Sequence, residues 1–371
     1  MKIAVLGSGN GGCAVAADCA LHGHDVRLFD FEAFPEQIAA IRAAGASEGV
    51  GGVIQTTGDV DGRAVLTYVG HDLARAVADT DLVYVVAPTY ATQAFGDAYR
   101  EVVKPGRHVV VCPGTNGGAL AFKQALGLEP GDPTVVVSET STLPYACRLT
   151  GPARLHVFLK LDDGLFLASL PSGSAEEACD LLGDVYPGVI VYQNVFQTIL
   201  QNGNNVIHPA VSLLNVARIE GPDGFLFYEE GVTQGVGRLM QAVDQERLAI
   251  AEALGTPILS EPAVGVQQGY MTEENYDTAY SRAPGFLGIE AQTTLEHRYL
   301  TEDVGYGLIL LTELAQVAGV ATPVMDALIT VVSAVLGRDL RQNAQRTLDS
   351  LGLGGLGPSE LLAAVEVRPS P

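Results

Sequence analysis

The chain has 371 residues, 47% hydrophobic and 17% charged, with 43 acidic against 21 basic side chains and a formal net charge of −22. Such a length is comfortable for two domains, and the composition is globular and not disordered. An acidic excess of this size repels phosphate backbones and anionic lipid, so neither nucleic acid nor membrane is an expected partner.

Lys2-Ile3-Ala4-Val5-Leu6 predicts a short buried strand, with no signal-peptide pattern around it, and leads straight into Gly7-Ser8-Gly9-Asn10-Gly11-Gly12. That is the G-x-G-x-x-G spacing of a dinucleotide-binding crossover. Gly7 permits the turn, Gly9 lets backbone N–H groups approach a pyrophosphate, and Gly12 lets the helix pack closely. An amphipathic helix through Val15, Ala16, Cys19 and Ala20 follows, and its N-terminus suits an anion. A second strand, 25–29, ends in Asp30, where a ribose 2′-hydroxyl would be held, and Phe31 stands where an arginine could meet a 2′-phosphate. The expected cofactor is NAD rather than NADP, contacted by Gly7, Ser8, Gly9, Asn10, Gly11, Gly12 and Asp30.

The glycine-rich stretch 45–62 lacks a G-K-[ST] ending and reads as a surface excursion. Strands at 65–69, 82–86, 107–112 and 134–138 alternate with helical patterns such as 89–101 and 116–126, which predicts a parallel sheet covered by helices. Runs 155–159 and 164–169, joined through Asp162-Asp163-Gly164, read as a hairpin appended to that sheet. After about residue 190 the period changes: Val236, Leu239, Met240, Val243, Ile250 and Leu254 mark one helical face. The interval 256–298 reads as loop-like. Thr322-Pro323 opens and Gly337 closes a helix apolar enough to be central, and a short helix at 358–366 precedes a polar tail. The expected fold is an α/β Rossmann-type doubly wound sheet over 1–190 followed by a mostly α-helical domain over 191–371. The five cysteines show no C-x-x-C pairing; Cys13, Cys19, Cys112 and Cys179 read as buried thiols of a cytoplasmic protein, and no metal site is expected.

Open doubly wound sheets bind ligands at the carboxyl ends of their strands. Ala87-Pro88-Thr89 and Pro113-Gly114-Thr115-Asn116-Gly117-Gly118 follow two such ends and suit either a nucleotide path, with Pro88 as a contact, or plain turns. The third, Glu139 to Arg148, gathers a carboxylate, hydroxyls, a thiol and a cation, more than a turn needs; Glu139, Thr142 and Cys147 are candidate substrate contacts.

In the helical pattern from Asn194 to Ile219, His208 precedes Pro209, which predicts a kink, and Asn204 lies one turn earlier on the same face as a candidate substrate contact. A histidine titrating near ~6.5 suits proton transfer, although a buried histidine bonded to an asparagine would account for the same residues. Farther on, Thr301 is expected to cap a helix with Glu302 and Asp303 in its first turn. There Asp303 reads as a dipole partner and Arg298 as a surface cation.

The glycine turn, Pro113-Gly114-x-x-Gly117-Gly118, Glu139-Thr140-Ser141 with Cys147-Arg148, Asn202-x-Asn204-x-x-x-His208-Pro209, and Arg298-Tyr299 with Glu302-Asp303-Val304 occur in one order along the chain. In that order and spacing the chain resembles, nearly end to end, the NAD/NADP octopine/nopaline dehydrogenase family, the opine dehydrogenases. The resemblance implies His208 as the acid/base, paired with Asp303, and Arg298 as the grip on an oxo-acid carboxylate. It implies NADH-dependent reductive condensation of an amino acid with a 2-oxo acid such as pyruvate, and the reverse oxidation. The partners would then be small-molecule substrates, with a homodimer left open. Glycerol-phosphate, 6-phosphogluconate and ketopantoate reductases share the two-domain plan but resemble one another in using a lysine of the helical domain. Here the lysines are Lys2, Lys104, Lys123 and Lys160, all in the first half. A non-catalytic NAD sensor would have no need of His208, Arg298 and Asp303 together.

Overall fold

The computed structural model describes residues 1–46 and 49–366. It divides into two compact units, one of Met1–Val195 joined by the chain from Ala364, the other of Phe196–Ala363. The division falls at 195/196, where the sequence suggested 190/191, and the chain from Ala364 to Glu366 returns to the first unit. Gly131 shows the closeness of that return, since a Cβ there would lie 2.2 Å from the carbonyl oxygen of Glu366.

The first unit contains β1 Lys2–Leu6, β2 Asp25–Phe29, β3 Gly52–Gly58, β4 Gly62–Leu66, β5 Tyr68–Gly70, β6 Leu82–Val85, β7 Arg107–Val111, β8 Val135–Thr140, β9 Tyr145–Gly151, β10 Arg154–Lys160, β11 Leu165–Leu170 and β12 Val189–Val191. Eight form one sheet in the order β12-β11-β8-β7-β6-β1-β2-β5, all parallel except the β8–β11 pair. In register, Leu6 of β1 lies level with Phe29 of β2 and Val85 of β6. Gly7, Asp30 and Val86 therefore emerge side by side at the carboxyl edge, tied by Gly7 N–H to Phe29 O at 2.8 Å and Val86 N–H to Leu6 O at 2.8 Å.

A second sheet, β4-β3-β10-β9, departs from the sequence reading. The stretch expected as an excursion holds β3, the predicted strand 65–69 is divided between β4 and β5, and the predicted hairpin does not form. Instead β10 pairs with β9 and β3, while β11 crosses to the large sheet against β8. The helix Asn10–Leu21 explains why this sheet exists. It is buried continuously from Gly12 to Cys19, so it has no solvent face and requires cover on both sides, which β3, β4, β9 and β10 supply beyond β1 and β2. Asp18 within it is held by Lys160 Nζ at 2.7 Å and Tyr145 Oη at 2.6 Å, as a buried carboxylate requires. All five cysteines are free thiols, and Cys179 is half-buried rather than buried.

The second unit is helical. The pattern 194–219 resolves into Val195–Leu200, Asn204–Leu214 and Val216–Ile219. The break falls at Gln201–Gly203, ahead of the anticipated kink, and the middle helix runs on through Pro209. Gln234–Ala253 is the longest helix among the described residues, capped by Thr233. Its Glu246 carboxylate reaches Val324 N–H at 2.7 Å and Met325 N–H at 2.9 Å, and so caps the helix Pro323–Val335 in place of the expected Thr322. That helix is not central: Val331 and Val335 are exposed, and it buries one face through Met325, Leu328, Ile329 and Val332. The loop-like interval contains the short helices Glu261–Gln267 and Thr278–Ser281, and Pro358–Val365 follows near the end. Among the described residues no helix is long and apolar enough to cross a membrane.

Candidate active site

In the first unit the site is made of backbone. Gly7 adopts φ +111°, and a Cβ there would stand 2.2 Å from Val86 O; at Gly12 it would stand 1.9 Å from Gly7 O. Gly9, by contrast, has open space where a Cβ would project, and no side chain caps the helix it begins. Two glycines let the turn close, and the third presents bare backbone and helix N–H donors outward, which fits a dinucleotide pyrophosphate. Asp30 is buried at the end of β2. Its Oδ2 accepts from Ser8 N–H and Ser8 O–H, both at 2.7 Å, and its Oδ1 accepts from Phe31 N–H at 2.8 Å. Ser8 thus orients the carboxylate that the sequence assigned to a ribose.

The remaining candidates in this unit divide. Pro88 is exposed after β6, and the next residue, Thr89, lies 3.1 Å from the Thr115 hydroxyl, linking the loops past β6 and β7. Leu143 packs against the glycine turn, 2.9 Å from where a Cβ on Gly11 would sit, which brings half-buried Thr142 near it. Asn10 Oδ1 accepts from Leu149 N–H at 2.8 Å, tying the turn to β9. Glu139 has a different duty from the expected one. It is fully buried, Gly114 packs on its side chain, and its Oε2 accepts Ala119 N–H at 2.7 Å, so it anchors the Gly118–Ala125 helix. Cys147 is also withdrawn. It is buried in β9, where desolvation pushes its thiol up to about 11 against a smaller pull from Arg148, which favours the protonated thiol.

In the second unit, residues far apart in sequence meet. His208 lies in the Asn204–Leu214 helix, and its Nδ1 is 2.8 Å from Asp303 Oδ2; both residues are buried. Asp303 does not follow a Thr301 cap. His297 caps the short helix Arg298–Thr301, and Asp303 opens a π-helical turn, Asp303–Leu308, that runs into Ile309–Ala318. A single π turn rotates side chains relative to an α-helix, and such turns gather at functional sites. Arg298 is half exposed, with Nε 3.5 Å from the buried Glu302. Its neighbour Tyr299 stacks on the His208 ring with centroids 3.8 Å apart. Asn204, half-buried, begins the His208 helix with its N–H on Asn202 Oδ1 at 3.2 Å.

Two residues at His208, and a third that acts on Tyr228, carried no clear sequence signal. Phe227 packs edge-on to the His208 ring, and the Tyr228 hydroxyl lies 3.3 Å from Nε2. Burial, more than the neighbouring Tyr299, Glu261, Tyr270 and Asp303, raises the Tyr228 phenol well above its ordinary value. Glu261 is buried with Oε2 lacking a hydrogen-bond partner, and desolvation followed by Asp244 pushes its carboxyl up to about 8. The run Phe225-Leu226-Phe227-Tyr228 was the one available hint, as an aromatic cluster outside any helical period. His297 is held below its ordinary value by burial first and then by Arg298 and His208.

Residues 191–336 match the family model described as NAD/NADP octopine/nopaline dehydrogenase, alpha-helical domain, and residues 2–122 match that of the NAD-dependent glycerol-3-phosphate dehydrogenase N-terminus. An opine dehydrogenase of Arthrobacter sp. is 36% identical over 366 residues, covering 98% of each chain. A vitopine synthase of Allorhizobium ampelinum is 30% identical, covering 98% of this chain and 99% of its own. An octopine dehydrogenase solved with NADH and L-arginine shares the fold, with a TM-score of 0.80 at 19% identity and full coverage of both chains. The glycine turn, the His208–Asp303 pair and end-to-end similarity to curated relatives agree, and the chain belongs to the NAD/NADP octopine/nopaline dehydrogenase family, the opine dehydrogenases.

Proposed function

We infer that the chain catalyses NADH-dependent condensation of an amino acid with a 2-oxo acid such as pyruvate, giving a secondary amine dicarboxylate, and the reverse oxidation. It is an oxidoreductase acting on CH–NH donors. The observation that carries the reading is the buried His208–Asp303 pair, joined across 95 positions of sequence at 2.8 Å. Asp303 takes Nδ1 and fixes the orientation of the ring, which leaves Nε2 to give a proton to the nitrogen or carbinolamine oxygen of the condensing substrates and to take it back in reverse. Arg298 grips the oxo-acid carboxylate as a bidentate donor, exchanging its 3.5 Å contact with Glu302 for the substrate. When bound, the reduced nicotinamide supplies the hydride that reduces the imine.

Asp30, with Phe31 beside it, supports NAD over NADP, because a buried carboxylate repels a 2′-phosphate. Thr142 and Asn204 remain candidates for the amino donor, whereas Glu139 and Cys147 do not. A glycerol-phosphate type of reaction finds support only in the match over 2–122. No lysine occurs beyond Lys160, and Lys123 is buried on Pro130 O at 2.9 Å and on Asp132 O. A cytoplasmic setting accords with five free thiols.

The test is NADH oxidation with pyruvate and each amino acid in turn, with the product identified by mass. Oxidation that requires both substrates and yields their secondary amine is expected. Oxidation with the oxo acid alone, or binding of NADH with no turnover for any pair, overturns the reading.

A further inference from the structure

We infer that Tyr228 is a positioning residue for the proton transfer: its hydroxyl donates to Nε2 of the resting imidazole and fixes the His208 tautomer together with Asp303. The inference rests on the proposed acid/base role of His208.

The geometry is specific. With Nδ1–H directed to Asp303 at 2.8 Å, Nε2 of the neutral ring is an acceptor, and the Tyr228 hydroxyl stands 3.3 Å from it. The hydroxyl has little freedom to be elsewhere, because the Tyr228 ring is stacked on Phe286 at 4.2 Å and 12° and is edge-on to Phe227 at 5.0 Å. The backbone under it is fixed as well: Phe227 N–H bonds Ile289 O at 2.8 Å, and Ala291 N–H bonds Phe225 O at 2.9 Å. Burial holds the phenol protonated, so it remains a donor throughout the pH range of an assay.

Other charged groups around the His208 helix are engaged elsewhere. Arg298 faces Glu302, and Asp326 of the Pro323–Val335 helix pairs with Arg341. From Gln234–Ala253, Asp244 pairs with Arg247, and Arg247 also bonds the carbonyls of Leu200 and Leu259. Glu261 acts on Tyr228, while His297 lies across the Tyr299 ring, edge-on at 4.4 Å. Among the described residues, the hydroxyl is the group in hydrogen-bond contact with Nε2.

A hydrogen bond donated to Nε2 stabilises the neutral imidazole, so its loss makes protonation easier. Tyr228→Phe keeps both ring contacts and removes only the hydroxyl. Its His208 apparent pKa should rise by about 0.5–1 unit, the equivalent of one ordinary hydrogen bond. In condensation, which needs the imidazolium, the falling alkaline limb of kcat moves up in pH. In oxidation, which needs the neutral base, the rising limb moves up equally, so oxidation on the acidic side of that limb slows about 3–10-fold while the plateau above it and the KM values hold. NMR titration of the imidazole in the coenzyme-free protein reads the same shift without turnover.

Unmoved limbs with wild-type kcat, or limbs displaced downward, overturn the inference and leave Tyr228 as packing. Retained turnover in His208→Gln instead overturns the acid/base reading beneath it, so the two failures are distinguishable.

Discussion

The two candidate sites are built on opposite principles. The glycine turn is a continuous run of six residues built mainly on backbone, with Gly7 and Gly12 closing on neighbouring backbone, Gly9 left open, and the Ser8 and Asn10 side chains tying the turn to Asp30 and β9. The His208 site is a set of side chains from three separated segments: His208, Phe227-Tyr228, and Tyr299 with Asp303. A local backbone site is intolerant of added atoms and indifferent to distant sequence. A remote side-chain site depends on the whole helical unit to hold its members in register, and within it one deleted proton carrier matters more than many added methyls.

The sharpest break of that contrast is His208→Gln. Turnover should fall about 10³-fold, within the ordinary range for losing a general acid/base, while NADH affinity by fluorescence titration stays near wild type. A parallel loss of coenzyme binding would mean that the residue serves the fold or the nucleotide instead.

The glycine pair comes next. Gly12→Ala places a methyl 1.9 Å from a backbone oxygen that cannot swing away, so it should destabilise the first unit by about 1–3 kcal/mol and weaken NADH about 100-fold. Gly9→Ala meets nothing within 4 Å in the chain and should leave the melting temperature alone. It should nonetheless weaken NADH about 10-fold, because the methyl occupies the path of the pyrophosphate. Calorimetry with coenzyme titration separates the two. Equal stability losses would show that Gly9 is structural, and unchanged NADH affinity in Gly9→Ala would move the pyrophosphate elsewhere.

The same contrast explains what could be read from the chain. The turn was legible because every requirement sits within a dozen residues: a strand, three glycines and a helix, then Asp30 at the next strand end. The second sheet was not. Its β3 lies in a glycine-rich stretch that mimics a loop, and its partner β10, with β9 paired beyond, joins it from about a hundred residues away. Glu139 misled because a carboxylate at a strand end reads equally as a ligand or as an anchor for a helix N-terminus, and only its bond to Ala119 N–H separates them. His208 and Asp303 were paired through family resemblance rather than spacing. No local rule announced a π turn at Asp303 or placed Tyr228 at Nε2, since both arise from how the helices pack.

Arg298→Gln probes the edge of the side-chain site. Losing a charge-assisted bidentate grip should raise the KM for the oxo acid about 10–100-fold, with a smaller change for the amino acid and none for NADH. Arg298→Lys should recover little of it, because a point charge does not reproduce a planar fork. If both substrates weakened equally, the guanidinium would be supporting Glu302 rather than holding a carboxylate.

The smallest expected effect concerns a group that the proposed chemistry does not use. Glu261 sits against Gly203 at the head of the His208 helix, where a Cβ on Gly203 would fall 2.6 Å from its Oε1. Burial and Asp244 push its carboxyl up to about 8. An acid whose pKa is higher folded than unfolded binds more protons in the native state. Its stabilising contribution is therefore complete below the unfolded value and declines as pH rises through the folded one. For Glu261 that window runs from about 4.5 to about 8. Glu261→Gln keeps the shape and removes the titration, so the variant should match wild type near pH 5 and melt a few degrees higher than wild type near pH 9. Thermal unfolding across that range is the measurement. A variant that loses stability at alkaline pH would show that the ionised carboxylate is held by favourable contacts, and would make this acid part of the site's charge balance instead of a buried liability beside it.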